Sequence, residues 1–141
     1  MIRKFNQSDI EEVINIWLEC SYISHDFINR DFWNSQTEDM KKIYIPASET
    51  YIFEENEKII GFISYYEWAI AAIFVNHKYQ WKGIWKQLLN FIKNKYSELK
   101  LTVYSQNKNS VEFYSSQWFK IIKEQKCSFT ENNEFVMTWL K

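Results

Sequence analysis

Hydrophobic and polar positions along the chain switch between a period near two and a period near 3.6, and the switches mark its elements. Ile2–Phe5 reads as a short first strand. Ser8-Asp9-Ile10-Glu11 fits a capping box, in which the serine and the glutamate three residues on satisfy two orphan amides reciprocally. Behind it, Ile10, Val13, Ile14, Trp17 and Leu18 form the stripe of an amphipathic helix. A second helix through Phe32, Trp33, Gln36, Met40 and Ile43 is predicted to stop before Pro46. Thr50–Phe53 and Lys58–Tyr66 flank the polar turn Glu54–Glu57 and read as a hairpin. Ala69–Val75 is a continuous apolar run, the pattern of a strand covered on both faces. The helical period resumes at Gly83 with Ile84, Leu88, Phe91, Ile92 and Tyr96. Leu99–Tyr104 reads as a strand and Ser110–Ser116 as a short helix; Phe119–Cys127 and Glu134–Leu140 are two last strands around Glu131-Asn132-Asn133.

The predicted order is β-α-α-β-β-β-α-β-α-β-β, and 141 residues without a linker or repeat predict one domain over 1–141. Residues 69–104 form a βαβ unit, expected to be parallel and right-handed. The carboxyl end of its first strand, feeding a helix N-terminus, is where α/β sheets hold ligands.

Composition narrows the class. An apolar content of 46% with 25% charged residues is globular rather than disordered. Met1-Ile2-Arg3-Lys4-Phe5 has no apolar stretch behind it, so no signal peptide is expected. The longest apolar run, Trp68–Val75, is far short of the ~20 residues of a membrane helix. Cys20 and Cys127 have no metal-ligand spacing, and the two histidines do not supply one, so no metal is expected and both thiols read as reduced packing residues. These readings point to a cytoplasmic protein with no membrane partner.

Net charge is only −1, but it is unevenly placed. Residues 1–75 carry 6 basic and 13 acidic side chains, whereas residues 76–109 carry 7 lysines and one acid, Glu98. A basic segment on a neutral chain fits an anionic ligand held locally or simply a solvated helix face. A nucleic-acid partner calls for a basic protein overall and is not expected.

The basic segment centres on Val75-Asn76-His77-Lys78-Tyr79-Gln80-Trp81-Lys82-Gly83-Ile84-Trp85-Lys86. A helix start presents amides and a positive dipole end, which together bind phosphate; Gly83 permits close backbone approach, and Lys82 and Lys86 add charge. Gln80-x-x-Gly83, after Ile73-Phe74-Val75 and before Leu88-Leu89, resembles the acetyl-coenzyme A loop of the GNAT superfamily of N-acetyltransferases. Val103-Tyr104-Ser105-Gln106-Asn107, running on to Phe113-Tyr114, is similar to that family's strand-Asn-helix segment. Ser24-His25-Asp26-Phe27-Ile28 with Phe32-Trp33 resembles the early region of small bacterial members.

The resemblance implies an α/β fold (α+β by some schemes) with a central mixed, mostly antiparallel sheet of about 6–7 strands and about four helices on both faces. It implies acetyl-coenzyme A as co-substrate and direct transfer to a primary amine on a small molecule, a lysine or a protein N-terminus. Phe74, Val75, Gln80, Trp81, Lys82, Gly83, Ile84, Trp85, Lys86 and Asn107 are the implied cofactor-binding positions, with amides near Phe74 and Val75 polarising the thioester carbonyl. Tyr114 is the implied general acid toward the leaving thiolate, although a tyrosine on a short helix also suits a core. Glu67 and His25 are rival general bases; the first also reads as a solvent-facing turn charge, the second as a buried hydrogen-bonding imidazole. Monomer and homodimer both stay open.

The chain departs from the pattern at four tryptophans. Trp68, Trp81, Trp85 and Trp118 stand where the family pattern resembles glycine, while Trp17, Trp33 and Trp139 occupy ordinary apolar positions. The chain has 2 glycines where average usage gives roughly 10. Genuine tryptophans at 81 and 85 point to a remodelled pocket or to a catalytically inactive binding module. The other account is a reassigned stop codon that specifies glycine in the source and reads as tryptophan in another translation table.

Overall fold

In a computed structural model, residues 1–141 are described, the side chain of Trp81 excepted. They form two compact units, Met1–Ile92 and Lys93–Lys141.

The first unit carries β1 (Ile2–Lys4), α1 (Ile10–Ser24), α2 (Arg30–Asp39), a π-helical turn (Met40–Tyr44), the single turn α3 (Ile45–Ala47), β2 (Glu49–Glu55), β3 (Lys58–Tyr66) and β4 (Ala69–Val75). A 3-10 run, His77–Lys82, then leads into α4 (Ile84–Lys93). β1 to β4 pair in chain order, each antiparallel to the next. Both hairpin turns have two central residues at positive φ, Asn56-Glu57 and Glu67-Trp68, as type I′ turns require. Val13, Ile52, Phe62, Ile63, Leu88 and Leu89 are fully buried, and Trp17 meets Trp33 edge-on at 6.0 Å between ring centroids.

The second unit carries β5 (Glu98–Tyr104), α5 (Lys108–Ser116), β6 (Lys120–Lys126) and β7 (Asn133–Leu140), with β7 antiparallel to both β5 and β6. Burial alternates along β5, with Leu99, Leu101 and Val103 inside. Among the described residues no helix is long and apolar enough to cross a membrane.

Three local expectations are corrected. The capping box uses Asn6 and Asp9, not Ser8 and Glu11: Asn6 Oδ1 accepts the Ser8 amide at 3.2 Å, and the Asn6 amide donates to Asp9 Oδ2 at 2.8 Å. Arg3 fixes that choice by pairing with Asp9 at 2.8 Å and Glu54 at 2.6 Å, holding the Asp9 carboxyl below its ordinary range. Pro46 does not follow a helix end; the π turn resets the helix, and Pro46 falls in the first turn of α3, where no amide bond is lost. β4 is not covered on both faces: Ile70, Ile73 and Val75 are buried, but Ala71 is exposed and Phe74 half-buried. The cause is a bulge, because Ser64 pairs with Ala72 and Tyr65 with Ile70, leaving Ala71 as the extra residue.

Candidate active site

The end of β4 is held by donors that converge on one carbonyl. Gln80 Nε2 donates to the Val75 oxygen at 3.2 Å, and the Cys20 thiol donates to the same oxygen at 3.2 Å from α1. Burial pushes that thiol up to about 12, so Cys20 stays a neutral donor. The next amide, Asn76, donates to Ile60 at 2.7 Å, while the Asn76 side chain accepts from Lys78 at 3.0 Å and its carbonyl from Tyr79 at 2.8 Å. The chain therefore leaves the strand through a fully specified turn. Gly61 on β3 makes this possible from the other side: a Cβ there would lie 2.8 Å from the Phe74 oxygen.

The helix start has the geometry an anion needs. Gly83 sits at φ 75°, a left-handed conformation that favours glycine, and open space surrounds the position a Cβ would take. Its carbonyl accepts the first bond of α4, from the Gln87 amide at 3.1 Å, so the turn formed by Ile84, Trp85 and Lys86 presents the helix's positive end. Lys82 lies over the Tyr79 ring at 5.3 Å and Lys58 over the same ring at 5.6 Å; Lys86 is exposed. Glycine backbone, helix dipole and lysines thus fit a phosphate-bearing ligand, and among the described residues no acidic, histidine or cysteine cluster could hold a metal ion.

The tryptophans at glycine-like positions separate by cause. Trp118 has φ 73° and is 79% exposed. Its amide donates to Ser115 at 3.1 Å and the Phe119 amide to Tyr114 at 3.0 Å, the two bonds of a Schellman motif with Trp118 in the left-handed position. Trp68 has φ 72° in the β3–β4 turn and is also exposed. Trp85 is different: it lies inside α4, half-buried, and its indole N–H donates to the Ile73 carbonyl on β4 at 3.4 Å. Backbone freedom matters at 68 and 118, and side-chain space at 85. The Trp81 side chain lies outside the described residues.

Of the remaining sequence-predicted residues, Tyr114 is buried on α5, edge-on to Phe113 and Phe119, and burial raises its pKa. Asn107 caps α5, its side chain accepting from the Ser110 amide at 3.4 Å. Glu67 stands at φ 44° in the turn before β4, eight residues from Val75, about 25 Å at the usual rise. Glu67 thus stands at the opposite end of β4 from Phe74–Val75. His25 stacks on Trp33 at 5.3 Å, and burial pushes its pKa down to about 4.

Two features were not visible beforehand. One is the convergence of Cys20 on Val75, a contact across 55 residues. The other is a cavity of about 360 Å³ against the β4 bulge, for which the adjacent small residues Ala71-Ala72 within a bulky strand were the only local signal.

Comparison with known proteins agrees with this geometry. The acetyltransferase (GNAT) domain family matches residues 11–138. The peptidyl-lysine N-acetyltransferase YiaC of Escherichia coli is 29% identical over 99% of this chain and 96% of its own length. The peptidyl-lysine N-acetyltransferase YjaB of Escherichia coli is 24% identical over 85% of this chain and 82% of its own. The solution structure of apo YjaB superposes with a TM-score of 0.87 at 19% identity, covering 99% of this chain and 96% of that one. The PaiA N-acetyltransferase of Thermoplasma acidophilum, in complex with coenzyme A, gives 0.82 at 19% identity, covering 100% and 98%. These relatives do not favour an inactive binding module. The chain belongs to the GNAT acetyltransferase family, with its α/β fold, and is an acetyl-coenzyme A-dependent N-acetyltransferase.

Proposed function

We propose that residues 1–141 act as one domain that acetylates the ε-amine of lysine in a peptide or protein. The observation that carries this reading is the β4–α4 connection, where a left-handed Gly83 opens a helix flanked by Lys82 and Lys86 directly after a strand end fixed by Gln80 and Cys20. The acceptor class is supported by two relatives that bear the name peptidyl-lysine N-acetyltransferase.

Acetyl-coenzyme A supplies an activated acetyl group as a thioester. In this reading Gly83, Ile84, Lys82 and Lys86 bind its phosphates, with Gln80 and Trp81 shaping the loop and Trp85 lying against β4. Amides near Phe74 and Val75 orient the carbonyl and stabilise its developing negative charge. The lysine nitrogen bonds to the carbonyl carbon as the carbon–sulfur bond breaks, and the second nitrogen proton replaces the one that the sulfur takes up, so the products are the amide and free thiol. Tyr114 donates its hydroxyl hydrogen toward the leaving sulfur, and Asn107 positions the cofactor arm. With Glu67 distant and His25 only weakly basic, the amine loses its proton to solvent before it attacks.

Two measurements test this. A peptide offering one ε-amine should be acetylated at least about tenfold faster than one offering only an α-amine, or than small alkyl amines, by mass spectrometry; that selectivity is about 1.4 kcal/mol. A preference for either of the others overturns the acceptor assignment. Because free lysine has a pKa of about 10.4, kcat/KM should rise about tenfold per pH unit from 7 to 9. Glu67→Gln and His25→Asn should keep that slope; a plateau near neutrality that either substitution removes would restore that residue as the base.

A further inference from the structure

We propose that the cavity against the β4 bulge receives a bulky apolar side chain adjacent to the target lysine, so that the enzyme selects lysines in apolar surroundings. The inference rests on the peptidyl-lysine reading of the same site and adds the neighbour it recognises.

The cavity measures about 360 Å³, within the ~300–1,000 Å³ of small-ligand sites. It is bounded by Met40, Ile43 and Tyr44 of the π turn, by Tyr66 of β3 and by Ala71 and Ala72 of β4. No charged side chain lines it, and its two serine hydroxyls are engaged with the protein itself. Ser64 Oγ is paired with Thr50 Oγ1 at 2.8 Å, and the Ser48 hydroxyl donates to the Tyr44 carbonyl at 2.7 Å. A polar occupant finds few handles there, whereas an apolar one loses nothing.

The cavity is also held open. Ile43 is 54% exposed, and Tyr44 and Tyr66 are each 48% exposed. These exposed apolar groups leave the cavity accessible from solvent. Two irregularities shape it: the π turn sets the Ile43–Tyr44 wall, and the bulge places small Ala71 and Ala72 opposite. Such irregularities are frequent at functional sites.

Charge around the cavity selects the kind of chain that carries the apolar group. Asp39, Glu49 and Glu67 each adjoin a lining residue in sequence, while Lys41 and Lys42 are neutralised by ion pairs with Glu11 and Glu38. Asp39 and Glu67, next in sequence to Met40 and Tyr66, carry the sign that complements a cationic lysine segment. Ala72 stands two residues before Phe74 and Val75, the stretch assigned to the thioester, so a residue neighbouring the lysine can occupy the cavity while the amine lies at the strand.

The test uses fluorescein-labelled lysine hexapeptides whose residues beside the lysine are leucine, phenylalanine, glycine or glutamate, bound to the full chain in the presence of coenzyme A. Leucine- and phenylalanine-flanked peptides should bind at least about tenfold more tightly than the glycine-flanked one. Ala71→Leu, at an exposed position, should bring the ratio to about one without weakening the glycine-flanked peptide. Ile43→Ser, also at an exposed position, is the second variant and should reduce the ratio by removing a wall while leaving the core intact. Equal binding of all peptides overturns the proposal. So does acceptance of acyl donors longer than acetyl that Ala71→Leu abolishes, which assigns the cavity to the acyl chain. Apolar preference in binding with no acetylation of any peptide sustains the cavity assignment and refutes the peptidyl-lysine reading instead.

Discussion

Tyr114→Phe should lower kcat by about 10²-fold while leaving the Kd for acetyl-coenzyme A within about twofold. The hydroxyl is asked to act only as the carbon–sulfur bond breaks, so its loss belongs in kcat rather than in ground-state binding. The expected loss sits at the low end of the range for general acids because of where the residue lies. Burial raises the Tyr114 pKa and keeps the phenol neutral, which favours hydrogen-bond donation to the departing sulfur over complete proton transfer. Phe preserves the edge contacts to Phe113 and Phe119. Steady-state kinetics with calorimetric titration of the cofactor separates the two parameters; an unchanged kcat removes Tyr114 from the chemistry.

Trp118→Gly and Trp85→Gly should act on different properties, with opposite effects on stability. At position 118 glycine relieves left-handed backbone at the end of α5, a gain of roughly 1–2 kcal/mol, with no change in cofactor affinity. The Tyr114–Phe119 contact that closes the Schellman motif is retained, at 5.8 Å between centroids. At position 85 glycine weakens α4 by about 1 kcal/mol but clears the indole from the Ile73 carbonyl. Acetyl-coenzyme A should then bind about tenfold more tightly, a difference of about 1.4 kcal/mol. Thermal melting and calorimetry on both variants check this, and unchanged affinity in Trp85→Gly makes the indole part of a remodelled wall. At the gene level, the codon-reassignment account expects Trp68, Trp81, Trp85 and Trp118 to share a codon that Trp17, Trp33 and Trp139 do not use. One ordinary tryptophan codon at all seven positions refutes it.

The element order was legible because it depends on periodicity, and periodicity survives local irregularity. The α1 stripe from Ile10 to Trp17 and the alternation of β5 are both buried as their spacing predicts. What the pattern did not carry were single-residue insertions and choices between equivalent partners. Asn6/Asp9 and Ser8/Glu11 are both plausible caps three residues apart, and the decision came from Arg3 on β1. The π turn and the bulge at Ala71 each shift register by one residue without altering hydrophobicity, and together they make the cavity. Gly83 stood out in the sequence for close backbone approach, but its left-handed conformation did not. The Cys20–Val75 bond was not legible, because a packing cysteine and a donor cysteine look alike in one dimension.

The most direct test of the central claim, that the α4 start holds the phosphates of acetyl-coenzyme A, is calorimetric titration of the cofactor at low and high salt. The wild-type chain should bind more weakly as salt screens the lysines. Lys82→Ala with Lys86→Ala should weaken binding at low salt by about tenfold and flatten that dependence. Equal affinity in the two proteins, with the same response to salt, would contradict the account.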